Sequence, residues 1–332
     1  MPNVAINGFG RIGRAVFKIL ADSSDVRVVA VNDLAPIENL AYLLKYDTVY
    51  GRYGKRVSAE KDALLVDGAR YPFYSEADPA RLPWRQAGVN LVFECTGVFN
   101  KRHQLEPHLK AGAQHVLLSA PGKDEEIVTV VHGVNRPPDG HDQIVSCASC
   151  TTNCITPVIE ILGRRIGLRK AVMTTVHGYT ATQSVVDAPK KKIRSGRAAA
   201  ANLIPATTGA AVATTKALPQ YRGKFDGVAV RVPVPDGSLA DIVLVTAKPT
   251  TVEEVNGVLR EESESERYRD IVAVTEDPVV SSDIIREPYA AIVDLGLTQV
   301  IDGDLVKVMC WYDNEWGYAN QMVREARRLL RL

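Results

Sequence analysis

The most chemically loaded stretch of the chain is Ser146-Cys147-Ala148-Ser149-Cys150-Thr151-Thr152-Asn153-Cys154. The apolar pair Ile144-Val145 enters it and a helical pattern leaves it (Ile155, Val158, Ile159, Ile161, Leu162), which predicts Cys150 at a strand-to-helix junction. Backbone N–H groups at a helix N-terminus favour negative charge, so a thiol there is expected to lean toward thiolate. The neighbouring Ser and Thr hydroxyls can cap the helix or hold an anion. The competing reading is a capped helix around a buried, inert thiol. A cysteine nucleophile needs a base or an imidazolium partner. Of the six histidines, His103, His108 and His115 fall on or beside a helix, and His132 and His141 flank a strand or loop. His177 ends a strand pattern, Lys170 to Val176, near the middle of the second half. It is the candidate partner, with a structural strand-end histidine as the alternative.

A second constellation lies at the N-terminus. Gly8-Phe9-Gly10-Arg11-Ile12-Gly13 stands between the apolar run Val4-Ala5-Ile6 and a helical pattern (Ala15, Val16, Ile19, Leu20). A further strand, Val26 to Val31, ends at Asn32-Asp33, an acid about 20 residues after the last glycine. Gly8 makes the turn, Gly10 lets a pyrophosphate approach the backbone, and Gly13 lets the helix pack on the strand, with the helix N-terminus toward the phosphates. Asp33 would accept hydrogen bonds from the adenosine ribose and repel a 2′-phosphate, favouring NAD over NADP. The whole set points to dinucleotide binding; the alternative is a glycine turn with a surface aspartate.

The elements that must hold these residues follow from periodicity. Glu38 to Tyr46 reads as a helix, Gly51 to Tyr74 as short antiparallel strands, Val89 to Cys95 as a strand, Gln104 to Ala111 as a helix and Val116 to Ser119 as a strand. Ligands of open α/β sheets bind past the carboxyl ends of strands, which places Thr96-Gly97 and Ser119-Ala120 to line the nicotinamide side or to be ordinary turns. In the second half, residues 178–205 are long, polar and weakly periodic, with Lys190-Lys191-Lys192 and Arg194; long ordered loops tend to be functional or to form interfaces. Thr207-Thr208-Gly209-Ala210 could be an anion-holding turn. Arg231 sits inside the apolar strand Val228 to Pro233 and needs an anionic partner, a carboxylate or a phosphate. Strands at Asp241 to Lys248 and from Val279 through Ile292 and Val306 to Trp311, with a helix at Val252 to Glu262, suggest a mostly antiparallel sheet. An arginine-rich amphipathic helix, Ala319 to Leu332, closes the chain and is expected to return to the first domain.

Composition sets the frame. A chain of 332 residues with 46% apolar content suits about two domains of 100–200 residues, each with its own core. The net charge of +1 gives no bulk electrostatic case for nucleic acid or an anionic membrane as main partner. Five cysteines, an odd number, do not resemble a secreted disulfide framework. No run is long and apolar enough for a membrane span, and the N-terminus lacks a signal-peptide pattern. The expectation is a soluble cytoplasmic protein.

These residues resemble phosphorylating glyceraldehyde-3-phosphate dehydrogenases, from Val4 to the C-terminal helix. The carriers are Ile6-Asn7-Gly8-Phe9-Gly10-Arg11-Ile12-Gly13-Arg14, Ala148-Ser149-Cys150-Thr151-Thr152-Asn153, His177-Gly178-Tyr179-Thr180 and Trp311-Tyr312-Asp313-Asn314-Glu315-Trp316-Gly317-Tyr318. The resemblance implies a Rossmann-type NAD-binding domain (1–149, with 316–332 returning to it) and an α+β catalytic domain (150–315) whose loop 178–205 packs between subunits of a homotetramer. It implies Cys150 as nucleophile and His177 as its activator. It gives Arg11, Ile12, Asp33, Ser119 and Asn314 as cofactor contacts, Asn314 holding the nicotinamide carboxamide. Ser149, Thr151, Thr180, Thr208, Gly209 and Arg231 would form two anion sites, one for the substrate phosphate and one for inorganic phosphate. The implied activity is NAD-dependent oxidation of D-glyceraldehyde 3-phosphate to 1,3-bisphosphoglycerate in glycolysis or gluconeogenesis, through a Cys150 thiohemiacetal and thioester. Rival readings are an erythrose-4-phosphate dehydrogenase of similar build and a non-catalytic regulatory protein on the same scaffold.

Three places depart from the family's pattern. Cys147 stands where Asn is usual and creates Cys147-Ala148-Ser149-Cys150, either a tolerated small residue or a redox switch in which oxidised Cys150 is trapped by Cys147 or Cys154. A zinc site on those cysteines would occupy the nucleophile, so no metal is expected. Arg194-Ser195-Gly196-Arg197 lacks a second arginine, read as variation in phosphate handling. Ala188, in Asp187-Ala188-Pro189, and the lysines after it leave NADP open, against Asp33.

Overall fold

In the computed structural model, which describes residues 1–138 and 140–332, Val4-Ala5-Ile6 lies within the strand Asn3–Asn7, at the centre of a nine-stranded sheet. The order is Val128–Thr129, Ile144–Ser146, His115–Leu118, Leu91–Glu94, Asn3–Asn7, Arg27–Asn32, Ala69–Tyr74, Ala63–Val66, Val57–Glu60. Asn3–Asn7 pairs in parallel with Arg27–Asn32 on one side and Leu91–Glu94 on the other. The chain therefore leaves in opposite directions around this strand, the arrangement that opens a ligand crevice at its carboxyl end. Helix Arg11–Leu20 buries Ala15, Val16, Phe17 and Leu20, the face its periodicity predicts. The three strands between Val57 and Tyr74 are antiparallel to one another, as expected. The last of them, Ala69–Tyr74, also pairs in parallel with Arg27–Asn32, Val31 opposite Phe73. That pairing welds the hairpins onto the main sheet, which local alternation could not reveal.

The chain forms two units: Met1–Val130, Arg136–Ala148 and Met322–Leu332 in one, Val131–Asn135 and Ser149–Gln321 in the other. The last residues of the chain thus belong to the unit that contains the first. Arg327 Nε donates to Asp25 Oδ2 at 2.8 Å, and Glu325 and Ala326 are buried.

The second unit is built on a seven-stranded sheet ordered Ile204–Thr207, Phe225–Val232, Leu168–Gly178, Ser238–Thr246, Leu305–Tyr312, Ala291–Ile301, Val272–Thr275. Four of its pairings are antiparallel and two parallel, so it is mostly antiparallel. Residues around Val279 form no strand. Helix Cys150–Arg165 packs into the main core of this unit through Ile155, Val158, Ile159, Ile161 and Leu162. Loop 178–205 carries two short 3-10 turns, Ile193–Gly196 and Ala199–Ala201. It is cross-braced: Arg197 Nε and Ala198 N both donate to the Asp187 carboxylate at 2.9 Å, and Ala188 N donates to Gly196 O at 2.8 Å. Among the described residues, no helix is long and apolar enough to cross a membrane.

Candidate active site

The strand Ile144–Ser146 ends on the first residue of the cysteine stretch, and helix Cys150–Arg165 begins at Cys150. Ser149 is its N-cap: the Ser149 hydroxyl accepts from Thr152 N at 3.1 Å, satisfying one of the N–H groups that have no partner inside the helix. Ala148 has φ +55°, left-handed backbone that costs an L-residue energy and that recurs where a functional side chain must be aimed.

Cys150 Sγ lies 3.4 Å from His177 Nε2. His177 is held by the sheet beneath it. It is the penultimate residue of Leu168–Gly178, which runs parallel to Phe225–Val232 with His177 directly opposite Arg231. His177 Nδ1 is 2.8 Å from the Gly178 carbonyl. The Gly178 carbonyl suits a protonated Nδ1 and the Arg231 guanidinium an unprotonated one, so these two neighbours favour opposite tautomers. Arg231 Nη1 donates to the same carbonyl at 3.0 Å and lies 2.5 Å from Nδ1.

The electrostatics reverse one expectation. Burial pushes the Cys150 thiol up to about 11, with the Arg231 charge and hydrogen bonds from Thr151 pulling the other way. Burial holds the His177 imidazole down to about 3, and the Arg231 charge adds to this. A helix N-terminus contributes roughly 0.3–1 kcal/mol, and here desolvation outweighs it. At neutral pH neither group ionises alone. The pair is thiol beside neutral imidazole.

Tyr312 was not singled out from the sequence, although it lies in one of its long motifs. Its hydroxyl bridges Thr151 Oγ1 at 2.9 Å and Thr175 Oγ1 at 2.7 Å, tying the first turn of the cysteine helix to the histidine strand. Its ring stands edge-on to His177 with centroids 5.9 Å apart. The Thr151 hydroxyl is therefore engaged inside the protein. Asn314 is fixed in similar fashion: its Oδ1 accepts from the Ser238 hydroxyl at 2.5 Å and its N–H donates to Asp236 Oδ1 at 3.2 Å. The Ser238 hydroxyl in turn accepts from Gly178 N at 3.2 Å. Burial and the adjacent Asp313 push Asp236 upward. Neither Ser238 nor Asp236 carries a sequence signal, since their roles exist only through these contacts.

The structure thus brings Cys150, His177 and Arg231 together, with Ser149 and Thr151 on the same helix turn. The other anion-site candidates sit apart from this contact set. The Thr180 hydroxyl bonds that of Thr182 at 2.8 Å. The Thr208 hydroxyl accepts from Ala210 N at 3.1 Å, with Gly209 as cap of helix Ala210–Ala217.

In the first unit the dinucleotide residues cluster at the sheet's carboxyl edge. Asp33 Oδ2 accepts from Phe9 N at 2.6 Å, so the acid and the glycine loop share one scaffold. Gly8 has φ +91°, and a Cβ there would lie 2.5 Å from Thr96 N; a Cβ on Gly13 would lie 2.0 Å from Gly8 O. A Cβ on Gly10 would meet nothing within 4 Å. Two glycines are demanded by the protein's own packing, and the third keeps open space at the helix N-terminus, where a pyrophosphate needs it. These residues fit NAD. Arg11 Nη1 pairs with Asp47 Oδ2 at 2.6 Å. Ile12 is half-buried on the same helix turn, and Ser119 follows the strand His115–Leu118, its N–H donating to Glu94 O at 3.0 Å.

All five cysteines are free. Cys147 and Cys154 are buried, and burial pushes both thiols well above their usual range.

A family model described as "Glyceraldehyde 3-phosphate dehydrogenase, C-terminal domain" matches residues 149–314, and one described as "Glyceraldehyde 3-phosphate dehydrogenase, NAD binding domain" matches residues 2–102. The chain is 48% identical over 324 residues, 96% of each chain, to a glyceraldehyde-3-phosphate dehydrogenase of Streptomyces coelicolor. It is 48% identical over 335 residues, 100% of each chain, to that of Thermotoga maritima. It is 46% identical over 323 residues, 96% of each, to that of Geobacillus stearothermophilus.

Proposed function

The chain belongs to the glyceraldehyde-3-phosphate dehydrogenase family, and on that premise we propose how its own residues divide the work. The activity is the NAD-dependent, phosphorylating oxidation of D-glyceraldehyde 3-phosphate to 1,3-bisphosphoglycerate. Segments 1–149 and 316–332 serve as the NAD-binding domain and 150–315 as the catalytic domain. Gly8, Gly10, Arg11, Ile12, Gly13, Asp33, Ser119 and Asn314 hold NAD, which supplies the hydride acceptor when bound.

The Sγ–Nε2 contact at the head of a helix carries the reading. Nε2 of His177 takes the thiol proton while Cys150 Sγ attacks the aldehyde carbon, giving a thiohemiacetal. The Cys150 backbone N–H, one of the unpaired donors at the helix start, is directed at the developing oxyanion. His177 hands the thiol proton to the oxyanion, forming the thiohemiacetal hydroxyl, and takes it back as the carbon is oxidised, leaving a thioester on Cys150. Inorganic phosphate attacks that thioester, the acyl phosphate leaves and Sγ is regenerated. Arg231 supplies positive charge at the edge of this pair, and Ser149, Thr151, Thr180, Thr208 and Gly209 complete the two anion sites. Reduction of NAD, followed by nicotinamide absorbance with glyceraldehyde 3-phosphate, tests the reading. Turnover that requires phosphate or arsenate supports it, and turnover confined to erythrose 4-phosphate refutes the substrate assignment.

Asp33 sets the cofactor preference in this reading. Asp33→Ser is expected to raise the KM for NAD about tenfold, the loss of one charge-assisted hydrogen bond to the ribose, and to lower the KM for NADP. Steady-state titration with each cofactor decides it; an unchanged ratio of the two would leave discrimination to Ala188 and the lysines beside it.

The protein acts as a cytoplasmic homotetramer in this proposal. Support for the location is the free state of its five cysteines, which suits a reducing compartment. Support for assembly is an open apolar sheet face in the second unit, a groove of about 820 Å³ lined in part by Val172, Val212, Val243 and Val245. Val172, Val212 and nearby Val228 are more than half exposed, and so are Val185, Val186 and Ile193 on loop 178–205. Exposed apolar surface on this scale calls for a partner. Val228→Lys should lower the mass measured by light scattering to that of a dimer or monomer; unchanged mass would move the interface elsewhere.

A further inference from the structure

Beneath the dinucleotide loops runs a chain of buried polar side chains that the reaction does not use. Asn7, Asn32, Glu94 and His108 are each at most 3% exposed. Glu94 sits among donors. Its Oε2 accepts from Asn7 Nδ2 at 2.6 Å and lies 3.1 Å from His108 Nε2. Its Oε1 accepts from Thr96 N at 2.9 Å and from the Thr96 hydroxyl. The Trp84 indole N–H donates to His108 Nδ1 at 2.9 Å, so the ring proton is on Nε2 and that nitrogen also donates to Glu94. Beyond Asn7 the chain continues, with Asn32 Nδ2 donating to Asn7 Oδ1 at 2.7 Å and Asn32 Oδ1 accepting from Glu76 N at 2.9 Å.

Each strand tied into this network ends in a cofactor loop. Asn7 precedes Gly8, Asn32 precedes Asp33, and Glu94 lies two residues before Thr96. Gly8 packs directly on the Thr96 backbone, the same backbone whose N–H Glu94 holds. A carboxylate buried without compensation is unfavourable, and an apolar side chain would fill the space at lower cost. Four donors converging on Glu94 offset that penalty and fix what surrounds it. We propose that Glu94 is a positioning residue for the dinucleotide, setting Gly8 and Asp33 in register through Thr96, Asn7 and Asn32. The proposal rests on the NAD reading and deepens it.

Glu94→Gln tests this at constant volume. An amide accepts through one oxygen only, so either the Asn7 and His108 donors or the Thr96 donors face its NH₂ group. In the full-length protein, calorimetric Kd and steady-state KM for NAD are expected to rise about tenfold, while kcat at saturating NAD and the KM for glyceraldehyde 3-phosphate stay within about twofold of wild type. Leu64→Val, a cavity in the buried core of the same unit, provides the structural comparison and should lower Tm without weakening NAD. Wild-type NAD affinity in Glu94→Gln, or an equal loss in Leu64→Val, overturns the proposal. Should Glu94→Gln not fold, Trp84→Phe removes the donor that sets the His108 tautomer; NAD binding weakened several-fold supports the proposal and unchanged binding overturns it. A wild-type protein that does not bind NAD would remove the cofactor reading itself, and the proposal with it.

Discussion

Cys150→Ser is expected to lose at least about 10⁴-fold in kcat while keeping its Tm and its affinity for NAD. The substitution keeps the helix start and the cap from Ser149, so the fold has no reason to change. The chemistry has every reason to change. A serine hydroxyl ionises far less readily than a thiol, and its ester lacks the reactivity of a thioester toward phosphate. The discriminating measurement is intact-mass analysis after mixing protein, substrate and NAD without phosphate. Wild type should gain the acyl group on Cys150 and the variant should show no adduct. A variant that kept more than about 1% of wild-type turnover would move the nucleophile elsewhere.

His177→Asn is the second large effect, a loss of about 10²–10⁴-fold in kcat. It also carries a pH signature. The Cys150 thiol is pushed up to about 11, so wild type relies on His177 Nε2 taking the proton as Sγ attacks. Without His177 the thiol must ionise alone, and at pH 7 only about one molecule in 10⁴ would do so. The rate of Cys150 alkylation by iodoacetamide should therefore fall in the variant at pH 7 and climb steadily toward pH 11, closing on wild type. The raised value means more thiolate as pH rises, never less. Equal alkylation rates at pH 7 would show that His177 does not activate the thiol.

Much of the site was legible because its signals are local. The glycines, Asp33 and the strand-to-helix break before Cys150 all declare themselves within a few residues, and each is where periodicity placed it. The His177–Arg231 pairing was not legible. It depends on the register between strands more than 40 residues apart in the chain, and no short window contains that information. Arg231 looked only like an arginine in an apolar strand that needed an anion; in the structure the Gly178 carbonyl and the edge of the His177 ring are its neighbours. The thiolate bias expected of a helix N-terminus failed for an energetic reason, since burial decides a contest in which the dipole is the smaller term. The motif around Tyr312 does not reveal what its hydroxyl ties together, and Ser238 and Glu94 escaped notice because a clamp has no motif of its own. Its meaning lies in what it touches.

The placement of Met322–Leu332 in the same unit as Met1–Val130 has a consequence in time. On the ribosome, domains generally form in the order they emerge, at roughly 5–20 residues per second. Here the N-terminal unit cannot be completed in that order. The residues of Met322–Leu332, Arg327 on Asp25 among them, are translated after all of the second unit, so for roughly tens of seconds the nascent dinucleotide domain presents an unfinished face. The second unit has its entire sequence by Gln321 and can close first. The dinucleotide domain is then completed only once the second unit has emerged.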